Sequence, residues 1–184
     1  MIMNIKEVKT AIKVGNIIPI NNNPLKKIQI EWIGDDALLK SNNGRVYLIV
    51  VNRKIYKIGG SQAKGGIKGT WQPYINSALS GSPSVRTYGI HMLMREQLDM
   101  KRKVEIYMIQ SENIQVKVSG LFRKKTMSVS PFKEMESKCL EDFVNREGKF
   151  PIWNFQESNE PWPIYIQEGC NKIKSNCIRK SKNK

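Results

Sequence analysis

The stretch GRVYLIVVNRKIYKIGGS, residues 44–61, constrains the fold more than any other part of the chain. From 46 to 51 both alternating faces are apolar, with Val46, Leu48 and Val50 on one and Tyr47, Ile49 and Val51 on the other. A strand apolar on both sides must be covered on both sides, which predicts a central position in a sheet. Asn52-Arg53 breaks the run, and the chain returns through Lys54–Gly59 as the second arm of a hairpin. Turn length then decides which side chains share a face. A two-residue turn pairs Val51 with Lys54 and sets Tyr47 beside Tyr56. A three-residue loop shifts the register by one and sets Tyr47 with Lys57. The residues alone leave both open.

Around this hairpin the signals are more ordinary. IKEVKTAIKV (5–14) carries a weak helical pattern, and Ile28, Ile30 and Trp32 alternate with polar neighbours as in a half-buried strand. DDALLKSNNG (35–44) reads as a connector. KGGIKG (64–69) lacks the GKS or GKT of an NTPase phosphate loop and reads as a flexible surface loop whose amides and lysines could approach a nucleic-acid backbone. Pro73 suits the first turn of a short helix closed by Gly81. Ser82-Pro83 suits the start of a second, striped by Ile90, Leu93, Met94, Gln97 and Leu98 and ending near Asp99. KVEIYMIQ (103–110) and IQVKVSGLF (114–122) read as strands paired through SEN.

The best-signalled helix runs from Ser130 as cap and Pro131 at its first position to Gly148. Cys139, Leu140, Phe143 and Val144 follow Glu136 at helical spacing, so Glu136 lies within the predicted buried stripe. A carboxylate there costs several kcal/mol unless it is paired, hydrogen-bonded or bound to a cation. It therefore reads either as a salt bridge to a lysine or as a metal ligand facing a cleft.

The 184 residues carry 31 Lys+Arg against 16 Asp+Glu, a net charge of +15. Residues 171–184 hold six of the basic groups and no acid, which leaves +9 on the body. Such a field draws polyanions, with nucleic acid favoured over an anionic membrane surface. Three cysteines without CxxC spacing and a single histidine exclude a Cys/His zinc site and read as free thiols. No apolar run is long enough to span a membrane and no secretory signal opens the chain, so an intracellular protein is expected.

RVY at 45–47, KIG at 57–59, Ser61, Glu136 on a later helix, and PIWN ending at Asn154 together resemble the GIY-YIG nucleases. The resemblance covers roughly 44–155. It is strongest to the short type II restriction endonucleases of that superfamily, through Lys133, Glu136, Leu140, Phe143, Pro151, Ile152 and Asn154. It implies an α+β fold, with a small central antiparallel sheet of about three strands flanked by helices. The core would be 44–155, with an N-terminal extension (1–43) for DNA contacts or dimerisation and a C-terminal extension (156–184) ending in the basic tail. A prokaryotic or phage origin is the corresponding expectation.

The implied activity is Mg²⁺-dependent (or Mn²⁺-dependent), sequence-specific hydrolysis of double-stranded DNA by a homodimer, with no nucleotide cofactor and no membrane. Tyr47 would contact and help deprotonate the attacking water, and Glu136 would hold the metal. Lys57 stands where the family has its second tyrosine. A lysine beside Tyr47 would lower the phenol's pKa or take its proton, a reading that favours the three-residue loop and makes Tyr56 a core residue. The family's phosphate-binding arginine is absent between Lys54 and Val85, and Lys68 or Arg86 would replace it. Ser61, Lys64, Tyr74, His91 and Asn154 complete the implied DNA-binding set. A nicking endonuclease of homing or repair type, acting as a monomer, and a basic DNA-binding module without catalysis are the alternatives.

Overall fold

The computed structural model describes residues 3–20 and 27–182. Strands β1 (Ile12–Pro19), β2 (Ile28–Trp32), β3 (Gly44–Val51), β4 (Lys54–Ser61) and β5 (Val104–Ser111) form one antiparallel sheet in the order β2-β1-β5-β3-β4. The expectation of about three strands is thus too small. Every residue of β3 is buried, as its two apolar faces require. Tyr47, Ile49 and Val51 meet α2 (Gly66–Gln72), α3 (Val85–Asp99) and α5 (Ile164–Lys182) on one side. Val46, Leu48 and Val50 meet Leu140 and Phe143 of α4 (Phe132–Glu147) on the other.

Several expectations are corrected by tertiary pairing. The helical pattern at 5–14 survives only as a 3₁₀ turn at Ile5–Glu7, and the β-branched residues after it become β1, paired between β2 and β5. Both edges of β5 are taken by β1 and β3, so it cannot also pair with the strand after SEN. That strand, β6 (Ile114–Ser119), pairs instead with β7 (Lys124–Val129) in a separate two-stranded ribbon. The connector at 35–44 contains the short helix α1 (Asp36–Lys40), capped by Asp35.

Residues 66–69 of the expected surface loop open α2, with Gly66 and Ile67 buried. The helix continues through Pro73–Ser77 as a wider π turn, where the proline has no N–H to donate. Ser84, not Ser82, caps α3 by accepting a hydrogen bond from the Thr87 amide at 3.0 Å. Ser130 does not cap α4, because its hydroxyl is turned inward, buried and without a hydrogen-bond partner. Most of the basic tail is helical, as the end of α5. The three cysteines are free, and among the described residues no helix is long and apolar enough to cross a membrane.

Candidate active site

The hairpin settles the face on which Lys57 lies. Asn52 (φ 46°) and Arg53 (φ 68°) form a two-residue turn, and Val51 pairs with Lys54 and Val50 with Ile55. Positive φ at both positions is the signature of a turn whose twist matches its strands. The ladder then skips Tyr56, so that Ile49 pairs with Lys57, Leu48 with Ile58 and Tyr47 with Gly59. The favoured three-residue loop is thus corrected to a two-residue turn, and this bulge reverses the alternation on β4 and so gives Lys57 the face of Tyr47. The two are diagonal neighbours across the strands, a relation that typically spans about 7–8 Å. Tyr56 is half-buried, with its ring edge-on to Trp153 at 5.0 Å.

The open edge of β4 is held by the turn at 151–154. Trp153 donates its amide to the Tyr56 carbonyl at 2.9 Å. The Asn154 side chain accepts from the Ile58 amide at 2.9 Å and donates to the Ile58 carbonyl at 2.8 Å, as a neighbouring strand would. Asn154 is fully buried and its amide is committed to the backbone. Asn154→Ala leaves both Ile58 groups unpaired and is expected to destabilise the fold by about 2–4 kcal/mol, measured by urea unfolding.

Gly59 lies directly under the Tyr47 ring, and a Cβ there would come within 2.5 Å of the phenol oxygen. The glycine therefore lets an aromatic ring lie flat across the neighbouring strand. Tyr47 is 2% exposed, and its hydroxyl is 3.2 Å from that of Tyr74 and accepts from Arg86 Nη2 at 3.4 Å. Burial pushes its pKa well above the usual phenol value and Tyr74 adds to this, while the Arg86 guanidinium pulls the other way. Lys57 is also 2% exposed and reaches the Trp153 carbonyl at 3.4 Å. Burial, aided by Arg86, lowers its pKa to about 8, against the fields of Glu157 and Glu136.

Tyr47, Tyr74, Arg86, Ser61, Thr70 and Gly60 surround one cleft of about 320 Å³. Arg86, 39 residues from Tyr47 in sequence, also approaches Gln156 Oε1 at 3.4 Å, and its Nε is buried without a partner. Lys68 is elsewhere, ion-paired to Asp36 at 2.9 Å on the outer side of α2. Ser61 Oγ lies 2.8 Å from Thr70 Oγ1, and Lys64 is exposed in the turn that precedes α2. His91 is enclosed in the core, with Nδ1 2.7 Å from the Tyr74 carbonyl oxygen.

Arg45, given no role by sequence reasoning, is completely buried. It donates to the carbonyls of Ser41 (2.6 Å), Asn43 (2.7 Å) and Ala63 (3.3 Å) and to Thr70 Oγ1 (3.4 Å). It thereby ties β3, the segment after β4 and α2 into the wall of the cleft. Burial lowers its pKa. The apolar strand around Arg45 was the signal that it must be buried and multiply bonded.

Glu136 reaches the same glycine pair from the other side of the sheet. A Cβ on Gly60 would come within 2.5 Å of Glu136 Oε2, and Gly60 itself lines the Tyr47 cleft. The expectation of a buried acid is corrected, since Glu136 is half-exposed. Its helix turn lies over the end of β4, past the part of the sheet that covers Leu140 and Phe143. Among the described residues Glu136 has no hydrogen-bond or ion-pair partner, and no group of three or more His, Cys, Asp or Glu side chains could hold a metal. A single free carboxylate still fits Mg²⁺, which takes one or two carboxylates and keeps its waters. Glu157, also unassigned by sequence reasoning, buries Oε2 without a partner and adds a second negative field at Lys57 and Arg86.

No protein-family model matches this sequence, and no curated protein matches it significantly. Among solved structures, restriction endonuclease HPY188I in complex with product DNA is similar at 25% identity. That match covers 82% of this chain and 84% of that one, with a TM-score of 0.48. A mutant of bacteriophage T4 EndoII is similar at 17% identity over 83% of this chain and 98% of that one, with a TM-score of 0.54. The five-stranded antiparallel sheet and its flanking helices are thus a fold shared with the phage T4 EndoII structure.

Proposed function

We propose that this protein is a Mg²⁺-dependent, sequence-specific endonuclease of double-stranded DNA that works as a homodimer in the manner of type II restriction enzymes. The observation that carries the reading is the placement of Tyr47 and the low-pKa Lys57 on one face of the hairpin, with Arg86 at the Tyr47 hydroxyl. The fold shared with the T4 EndoII structure and the net charge of +15 support it. Residues 44–155 would form the catalytic core, with the flanks contacting DNA or the second copy. Two antiparallel strands cut by one site per chain favour two-fold symmetry.

In this reading the Tyr47 hydroxyl orients the attacking water at the cleft mouth. Its raised pKa keeps the phenol protonated, so it passes a proton on only if a base stands behind it. Lys57, on the same face and with a pKa of about 8, would be that base through an intervening water, since its amine reaches the Trp153 carbonyl and the Tyr47 hydroxyl is held by Tyr74 and Arg86. A substantial part of it is the neutral amine at slightly alkaline pH. Arg86 presents its guanidinium to the scissile phosphate, and Ser61 and Thr70 offer hydroxyls on the opposite wall. Glu136 would hold Mg²⁺, which when bound stabilises negative charge on the phosphate and the leaving oxygen.

Digestion of plasmid DNA with and without Mg²⁺, with sequencing of the ends, tests the reading. Defined ends that depend on Mg²⁺ are expected, whereas tight binding in EDTA with no cleavage on adding Mg²⁺ would leave a binding module. A monomeric mass with nicked product would instead favour the nicking alternative. Arg86→Ala is expected to lower kcat/KM by about 10²–10³-fold. Lys68→Ala, which removes only an exposed ion pair with Asp36, should change it no more than about two-fold. The reverse ranking would transfer the phosphate role to Lys68.

A further inference from the structure

The β6–β7 ribbon stands apart from the main sheet, and nearly all of its residues are exposed. A two-stranded ribbon is at best marginally stable alone in water, so one built this way is expected to meet a partner. Cross-strand pairing sorts its side chains. Ile114 with Val129, Val116 with Met127 and Val118 with Lys125 occupy one face, and Gln115 with Ser128, Lys117 with Thr126 and Ser119 with Lys124 occupy the other. The second face therefore consists entirely of hydrogen-bonding or cationic groups. Its tip is closed by the Gly120 amide donating to the Arg123 carbonyl at 2.9 Å, and it presents Leu121 and Phe122, each 95% exposed.

We propose that this ribbon is a groove-binding arm for duplex DNA, with the Gln115–Lys117–Thr126–Ser128 face against the groove and Leu121-Phe122 wedged at a base step. The proposal rests on the reading of the protein as a DNA endonuclease and adds the element that grips the duplex away from the cleft. Charge complementarity carries it, since that face and the tip hold Lys117, Lys124 and Arg123, and residues 114–129 contain no acid. Shape agrees, because a DNA major groove admits a two-stranded ribbon and Phe or Leu at a tip can part stacked bases. The other face, mostly apolar apart from Lys125, is largely exposed, and a second copy of this chain is the rival occupant.

The test uses the full chain and a pool of random 30-base-pair duplexes in EDTA, read by fluorescence anisotropy over a range of salt, beside plasmid cleavage in Mg²⁺. Lys117→Ala with Lys124→Ala is expected to reduce the slope of log K against log salt by about 2, roughly one for each phosphate that is no longer neutralised. Phe122→Ala is expected to weaken binding by about ten-fold with the slope unchanged. Neither should move the thermal midpoint, because these side chains are exposed. Wild-type cleavage with unaltered binding by both variants overturns the arm and leaves the endonuclease reading intact. A wild type that neither binds nor cuts duplex DNA defeats that reading, and the arm with it. A fall in solution mass on Phe122→Ala, or weaker binding to anionic vesicles with unchanged binding to DNA, assigns the ribbon to a subunit contact or a membrane and overturns the proposal.

Discussion

Glu136→Gln is expected to lower the rate of plasmid cleavage by about 10²–10³-fold at saturating Mg²⁺, the range for losing one preorganised electrostatic contact at a reacting centre. The substitution keeps the shape that fits against Gly60 and removes only the charge. The side chain is half-exposed and has no hydrogen-bond or ion-pair partner among the described residues, so its replacement should leave the thermal midpoint unchanged. Duplex binding in EDTA should be equal or slightly tighter, because a negative charge that repels phosphate is gone. The separation of binding from cleavage is the diagnostic result. A variant that cuts as fast as the wild type, with Mg²⁺ still required, would show that another carboxylate holds the ion, and Glu157 is the first to test.

Lys57→Met is expected to abolish cleavage while making the protein more stable. Burying an ammonium with few partners costs free energy, which appears here as the fall of its pKa from 10.5 to about 8. Between those values the unfolded chain binds a proton that the folded one does not, so folding becomes more favourable as pH rises through that window. Below about pH 8 both states are protonated and the whole penalty is present. A methionine of similar length avoids it, a gain of about 2–3 kcal/mol at pH 7 that should fade as pH approaches 10.5. Urea unfolding at pH 7 and 10 measures this. In the wild type, log kcat should rise with pH and level off above about 8. A flat profile between pH 6.5 and 9, with Lys57→Met still active, would remove Lys57 as the base.

The two expectations share a pattern, since the residues that contribute most to the proposed chemistry contribute least to stability. Asn154 is the reverse case. The sequence resemblance leads to the expectation that it contacts DNA, yet its side chain closes the edge of β4 around Ile58. Its influence on activity would run through the bulge that orients Lys57, by way of the neighbouring contact between Trp153 and Tyr56. Lys57 and Asn154 are therefore connected by backbone geometry rather than by a shared ligand.

Local signals were strong where one element decided its own burial. The unbroken apolar run at 46–51 required a central strand, the stripe on α3 required a buried face, and Gly148 ended α4 as its position suggested. Signals failed where a distant partner decided. The weakly helical pattern at 5–14 yielded to pairing with β2 and β5, and β6 could not pair with β5 because both edges of that strand were occupied. Helical spacing put Glu136 on the inward side of α4 but could not show that its turn lies over the end of the sheet, where that side is half open. Arg86 entered the cleft from 39 residues away, a distance over which no sequence period carries information.

The hairpin at 44–61 divides the two contributions most clearly. By itself the sequence determined that two strands would turn near Asn52-Arg53, with the length of the turn left open, because this follows from polarity alternation and turn chemistry. Only the tertiary structure decided that Tyr47 and Lys57 share a face. An extra residue in one strand reverses the alternation after it, and the place of that residue is chosen by what docks on the strand edge, here Trp153 and Asn154 from almost a hundred residues away.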